Sequence, residues 1–386
     1  MRKRLWGFLA VGALLGAPVL RAQQPCPNLP VVINTPEDKL MLEVNGADTP
    51  QAQVDALTAF AAANPDSRFM PCVNEYLTMT YVKMNEFEKA IEAGEKDLAA
   101  NYVDVNLSVN LLKAYVGAGK AADGAFKLIN DAPEQIHHEM MMAAPSGTPA
   151  EQEKAHQASE QQASDIRAYM EYAFFRLLPY VTDASKRLAD LNAFLKAYPD
   201  TKNMNQVDFQ YFTAYQMAGD TAKMFEYGEK AVASDPQNVS TLNVVADAYA
   251  TAKEPRLDKA AEYAQKALDL GANMQKPEGE TDEQFKASHD VQMGLAHSTL
   301  GYVDMQKGAR THHVATAIKE FKEAADLLES NPGLQARALF FLGYSYELEY
   351  PANHHLAAEA LTKAASLDTP WKAQAQSLLE KVKKAR

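Results

Sequence analysis

The sequence predicts an all-α chain: a solenoid of stacked helix–turn–helix units. Three observations carry this. Tyr81 and Tyr115 stand 34 residues apart, as do Tyr215 and Tyr249, each in a run that reads as one helix of a pair. A fixed period of that length marks a repeat array. Apolar residues recur at helical spacing among Ala, Leu, Glu and Lys, with Pro and Gly mainly between the segments. No stretch sustains an alternation of β-branched residues, so no sheet is expected.

The 386 residues open on Arg2, Lys3 and Arg4, followed by an apolar run from Leu5 to Ala17 that Pro18 breaks. Leu20-Arg21-Ala22 offers a small residue for cleavage, so residues 1–22 read as a secretory signal peptide. The run is short of the roughly 20 apolar residues that a spanning helix needs, and no later segment could cross a membrane. Export is expected, to the periplasm or the cell envelope.

Removing residues 1–22 takes away four basic side chains (Arg2, Lys3, Arg4 and Arg21) and no acidic one, so the net charge goes from −12 to −16. Nucleic acid and anionic membrane surfaces are thereby excluded as expected partners, because phosphate binding needs a basic surface. Most of the charge reads as solvated helix surface.

A Pro-rich leader, residues 23–49, contains Cys26. The other cysteine is Cys72, and a pair in an oxidising compartment is a disulfide candidate. Its loop of about 47 residues would be worth on the order of 4 kcal/mol in the chain-entropy model. Gln24-Pro25 is the wrong context for lipidation of Cys26.

The units follow in order. Leu57, Phe60, Ala63 and Pro65 suggest the second helix of a degenerate first pair. Leu77, Tyr81 and Ala90 belong to the next, and Leu111, Tyr115, Gly119 and Leu128 to the one after. Tyr169 to Pro199, with Ala189, Phe194 and Ala197, reads as a pair with a long turn. Tyr211, Tyr215, Gly219, Ala231 and Pro236 then begin a regular series. Val245, Ala246, Tyr249, Ala260, Ala264 and Ala267 continue it. Next come Leu300, Gly301, Ala317, Phe321 and Ala324, then Leu342, Gly343, Tyr346, Ala357, Leu361 and Ala364. The order large–Leu–Gly–Tyr in one helix and Ala–large–Ala–Pro in the next resembles the tetratricopeptide repeat family over most of residues 50–370. The resemblance implies a right-handed superhelical solenoid, with pairs at 50–134 and 165–370.

Between these stretches, residues 135–164 read as an insertion: a loop with His137-His138 and Met140–Met142, then a polar helix starting near Pro149 with Glu151 and Glu153 in its first turn. A break here would divide the array into two lobes. Residues 371–386 read as a capping helix, with Lys381, Lys383, Lys384 and Arg386 at the negative end of its dipole.

Catalytic motifs are missing: there is no H-E-x-x-H, C-x-x-C, G-x-S-x-G or Walker-type loop. Gly117-Ala118-Gly119-Lys120 lacks the upstream strand and the Ser/Thr of a phosphate loop and reads as an inter-helix turn. No enzyme and no cofactor are expected. Met140–Met142 read as a hydrophobic patch rather than a copper site. His312, His313, His354 and His355 fall in two consecutive inter-helix turns, which makes a metal-binding periplasmic protein the alternative reading.

The main expectation is a non-enzymatic scaffold that binds a protein or peptide. By analogy with the family, first-helix side chains one repeat apart line the concave face. The candidates are Glu75, Met79, Lys83, Asn106, Lys113, Phe209, Asn243, Asp247, Arg337, Tyr344 and Glu347. They lack the ordered Lys/Asn/Arg clamp of chaperone-linked members, which argues against an adaptor role of that kind.

Overall fold

Side-chain caps set where most helices begin. The structure, a computed structural model, describes residues 31–100, 103–138 and 147–385. Among these are seventeen α-helices and no strand. The expected signal peptide 1–22, Cys26 and Met140–Met142 lie outside the described residues. The chain divides into two compact units at Asp200/Thr201.

The first unit contains α1 (Pro36–Asn45), α2 (Pro50–Ala63), α3 (Met70–Lys83), α4 (Phe87–Ala99), α5 (Val105–Ala118), α6 (Asp123–Ile136), α7 (Pro149–Leu177) and α8 (Ala184–Ala197). Thr35 and Thr49 cap α1 and α2, each followed by Pro at the first helical position, where its missing N–H costs nothing. Asp104 and Asp183 do the same for α5 and α8 through their carboxylates. Gly119 ends α5 at φ +63°, a left-handed closure that glycine adopts without a Cβ clash; Gly117 and Ala118 belong to the last turn of α5, and only Gly119 and Lys120 of that stretch lie in the inter-helix turn.

Two features differ from the sequence reading. Part of the expected leader is helix α1, whose Leu40 and Val44 bury against Leu57, Phe60 and Phe69. The expected boundary at 164/165 falls inside α7, one continuous 29-residue helix. Thr148 and Glu151 form a capping box at its start, and its C-terminal half is driven into the core by Met170, Phe174 and Leu177. Phe174 stacks on Phe194 of α8 at 4.1 Å and meets Phe126 of α6 edge-on at 5.8 Å. Segment 135–164 therefore lies within one compact unit, and the division comes later in the chain.

The second unit contains α9 (Met204–Ala218), α10 (Thr221–Ser234), α11 (Val239–Thr251), α12 (Leu257–Gly271), α13 (Asp282–Gly308), α14 (Ala315–Leu327), α15 (Pro332–Leu348), α16 (His354–Ser366) and α17 (Lys372–Ala385). Each packs on the next in chain order. One helix pair cannot bury its own apolar face, so each pair relies on its neighbour. Small residues at the seams allow that approach: Ala246, Ala264, Ala267, Ala324 and Ala364 have no exposed surface. A Cβ on Gly343 would stand 2.6 Å from Leu361 Cγ, so α15 and α16 meet where only hydrogen fits. Large residues fill the space beside them. Tyr249 is fully buried and donates to the Phe225 carbonyl at 2.7 Å; Tyr115 is equally buried in the first unit and donates to Glu95 at 2.8 Å. In α17, Ala375, Leu379 and Val382 are buried while Lys381, Lys383 and Lys384 are exposed.

Candidate functional site

Alternation along the chain makes two layers in each unit. In the second, α11 packs on α13, α13 on α15, and α15 on α17; in the first, α3 packs on α5 and α5 on α7. Helices α3, α5 and α7 thus share a face within the first unit, and α11, α13, α15 and α17 share one within the second.

On the odd face of the second unit, Asp247 of α11 accepts a hydrogen bond from an Arg337 guanidinium nitrogen of α15 at 2.6 Å. The two residues are 90 apart in sequence, and α13 lies between their helices in chain order. The guanidinium carbon also sits 6.0 Å from the Phe341 ring centroid. Phe340 and Phe341 pack against Trp371, which precedes α17, at 5.3 and 5.5 Å. Tyr344 is exposed one turn beyond, and Val244 of α11 is exposed as well.

Phe209 of α9 is half-buried in a cleft of about 230 Å³. Asn205 and Gln206 of α9, Asp235 and Asn238 of the α10–α11 connection and Thr241 of α11 are among the residues lining it. Asn238 is committed to structure: Oδ1 accepts from the Thr241 N–H at 3.0 Å, and Nδ2 donates to Asp235 at 3.1 Å.

The first unit's odd face is built from α3, α5 and α7. On α7, Phe174 points toward α6 and α8, so Tyr169, Tyr172 and Arg176 fall on the opposite side by helical spacing. The Tyr169 and Tyr172 rings are 5.9 Å apart, and Lys113 Nζ of α5 lies 5.9 Å from the Tyr169 centroid. Lys113 is solvent-exposed yet crowded by surrounding protein, and the desolvation lowers its pKa. The same crowding raises the Tyr169 phenol. Met79 and Asn106 are half-buried and Lys83 is exposed on the neighbouring helices.

Two of the expected groove residues are not accessible. Glu75 is 1% exposed, because α3 is enclosed by α2, α4 and α5. Asn243 is 2% exposed and donates from Nδ2 to both the carbonyl and the side chain of Gln292 on α13, each at 2.9 Å, which pins α11 to α13. Glu347 is engaged with His354 at 2.9 Å. The sequence reading missed the part Tyr169 and Tyr172 play beside Lys113; their i, i+3 spacing opposite Phe174 was the available signal.

Only His312 and His313 lie in an inter-helix turn, since His354 and His355 are the first two residues of α16; His312 Nδ1 lies 2.7 Å from the Leu348 carbonyl at the end of α15. The rings are drawn to separate partners, His354 to Glu347 and His355 to Glu359 at 3.4 Å. Among the described residues no three His, Cys, Asp or Glu side chains group as a metal site. No described helix is long and apolar enough to cross a membrane.

Asp97 of α4 is fully buried and accepts from Asn74 Nδ2 at 2.9 Å. Burial pushes its pKa up to about 7, the Asn74 hydrogen bond opposes that rise, and nearby Asp104 adds to it.

The geometry defines an all-helical array of sequentially packed pairs. No protein-family model and no curated protein matches the chain.

Proposed function

We propose that this is an exported, non-enzymatic scaffold of the cell envelope, a tetratricopeptide-like right-handed superhelical solenoid that binds a protein or peptide along the concave side of its odd-numbered helices. The observation that carries this reading is the Asp247–Arg337 pair. The pair links side chains of α11 and α15 across one face, which supports a face curved along its length. Such a face would lie along an extended chain and contact it from several repeats at once. Exposed Tyr344 beside half-buried Phe340 and Phe341 supplies the aromatic surface on which such contacts concentrate.

The test is affinity capture from the exporting cell's envelope with the tagged mature chain, alongside two variants. Tyr344→Glu should lose the partner. Lys319→Glu, at an exposed position on even-numbered α14, should keep it. Equal recovery by both variants would overturn the binding face.

A further inference from the structure

The cleft at Phe209 lies between the first turns of α9, the end of α10 and the start of α11. Two of its lining groups, the Phe209 ring and the Asp235 carboxylate, are of kinds this chain uses together elsewhere. Arg337 sits on Asp247 at 2.6 Å and 6.0 Å from the Phe341 centroid. Lys230 sits on Glu226 at 2.7 Å and 4.2 Å from the Tyr227 centroid, and Lys186 on Asp190 at 3.0 Å and 5.1 Å from the Phe126 centroid. In each, a carboxylate holds the charge and a ring lies beside the cation. The cleft has the carboxylate and the ring, and none of its lining residues is basic. Lys230, next to Ala231 in the lining, is engaged by Glu226. Asp235 is fixed in place. It ends α10, its backbone carbonyl accepts from the Asn238 N–H at 3.2 Å, and its side chain accepts from Asn238 Nδ2 at 3.1 Å. Asn238 is held in turn by the Thr241 N–H. Gln206 donates from Nε2 to Asn203 at 3.4 Å, which leaves its carbonyl oxygen as an acceptor on the α9 wall.

We propose that this cleft takes one arginine side chain of the partner peptide, with the guanidinium on the Asp235 carboxylate and its planar face and methylenes against Phe209. This contact rests on the scaffold reading and specifies the chemistry of one point on the partner. Arginine fits better than lysine. Its planar fork donates to several acceptors at once, here Asp235 and the amide oxygens of Asn205 and Gln206, and it stacks on a ring. A volume of about 230 Å³ holds one such side chain and leaves the main chain outside, at the rim where Gln206 and Ser240 are exposed. An anion would meet Asp235 with no basic side chain in the lining to balance it. The net charge of −12 draws cationic segments toward the chain without choosing a place on it; the cleft supplies the place.

The experiment is fluorescence anisotropy on the purified protein at physiological salt, where diffuse attraction to the acidic surface is screened. The probe is the fluorescein-labelled, C-terminally amidated peptide Ala-Ser-Ala-Arg-Ala-Ser-Ala. The control carries citrulline, the uncharged isostere, in place of arginine. The arginine peptide should bind about tenfold tighter than the citrulline peptide. Asp235→Asn, which keeps an oxygen for Asn238 to donate to, should erase most of that preference while melting with wild type. Phe209→Leu, which keeps the wall apolar, should weaken the arginine peptide by about threefold. Glu323→Gln, the same charge change at an exposed position on α14, should leave binding unaltered. Equal binding of the two peptides, an unaltered preference in Asp235→Asn, or an equal loss in Glu323→Gln overturns the proposal. So does displacement of the peptide by equimolar spermidine, which would make this a small-polyamine site. Envelope capture that remains sensitive to Tyr344→Glu in any of these cases leaves the scaffold reading standing and removes only the arginine contact.

Discussion

The two units differ in how one basic residue of the odd helices is held. In the second, Arg337, its side chain 15% exposed, is bound to Asp247. In the first, Lys113 lies 5.9 Å from the Tyr169 ring centroid and has no ion pair among the described residues. Identical backbone logic, with helices of similar length and caps of the same chemistry, yields a closed charge pair in one case and an open cation in the other. Packing sets which residues share a face; what those residues then do depends on a few side chains that packing leaves free.

The largest test of that shared logic removes a seam-filling ring. Tyr115→Ala and Tyr249→Ala each delete a fully buried side chain one period after its partner tyrosine. Each should cost about 3–5 kcal/mol, the range for large aromatic truncation, read as a fall in denaturant midpoint. A small effect in either unit would break the equivalence. Overpacking is next. Gly343→Ala drives a Cβ to 2.6 Å from Leu361 Cγ, whereas Gly94→Ala meets the branched tip of Leu111 at 2.9 Å. The first should cost about 1–3 kcal/mol and the second less, since a methyl terminus gives way more easily than a branch point.

A pH titration separates the units chemically. Asp97, in the first, has its folded pKa raised by burial to about 7, well above the ordinary carboxylate range. The folded state therefore holds the proton more tightly than the unfolded chain does. Its contribution is full below the unfolded pKa and is lost as pH rises through about 7. Stability of the first unit should decline across that interval, by on the order of 1–3 kcal/mol. Asp97→Asn should flatten the slope; an unchanged slope would mean that the carboxylate stays ionised. The smallest effects concern the faces themselves. Asp247→Ala should cost about 1 kcal/mol, as a partly shielded pair does, while Lys113→Met should leave stability unchanged or slightly higher, because it removes a desolvated charge with no partner.

Much of the helical framework was legible in the sequence because its signals are local. Pro149 in the first turn of α7, Gly119 and Gly219 after α5 and α9, and the apolar period around Tyr249 each act within a turn or two of chain. The continuity of α7 was not. Its first half is Gln, Glu and Ala, which favour helix without offering an apolar stripe, so loss of periodicity looked like a boundary. The candidate site was harder still. Whether Glu75 or Asn243 is exposed depends on which helices enclose it, and Asn243 is claimed by Gln292, 49 residues away. The Asp247–Arg337 pair spans 90 residues. Long-range pairing of that kind is set by how the helices stack, and no local pattern encodes it.

The most direct test is hydrogen–deuterium exchange on the protein with and without a partner recovered by the capture experiment. Protection confined to the odd-numbered helices, strongest on α5 and α7 or on α11 and α15, is the expected result. Protection centred on α4, α6, α12 or α14, with the odd-numbered helices unchanged, would contradict binding along the odd-helix face of either unit.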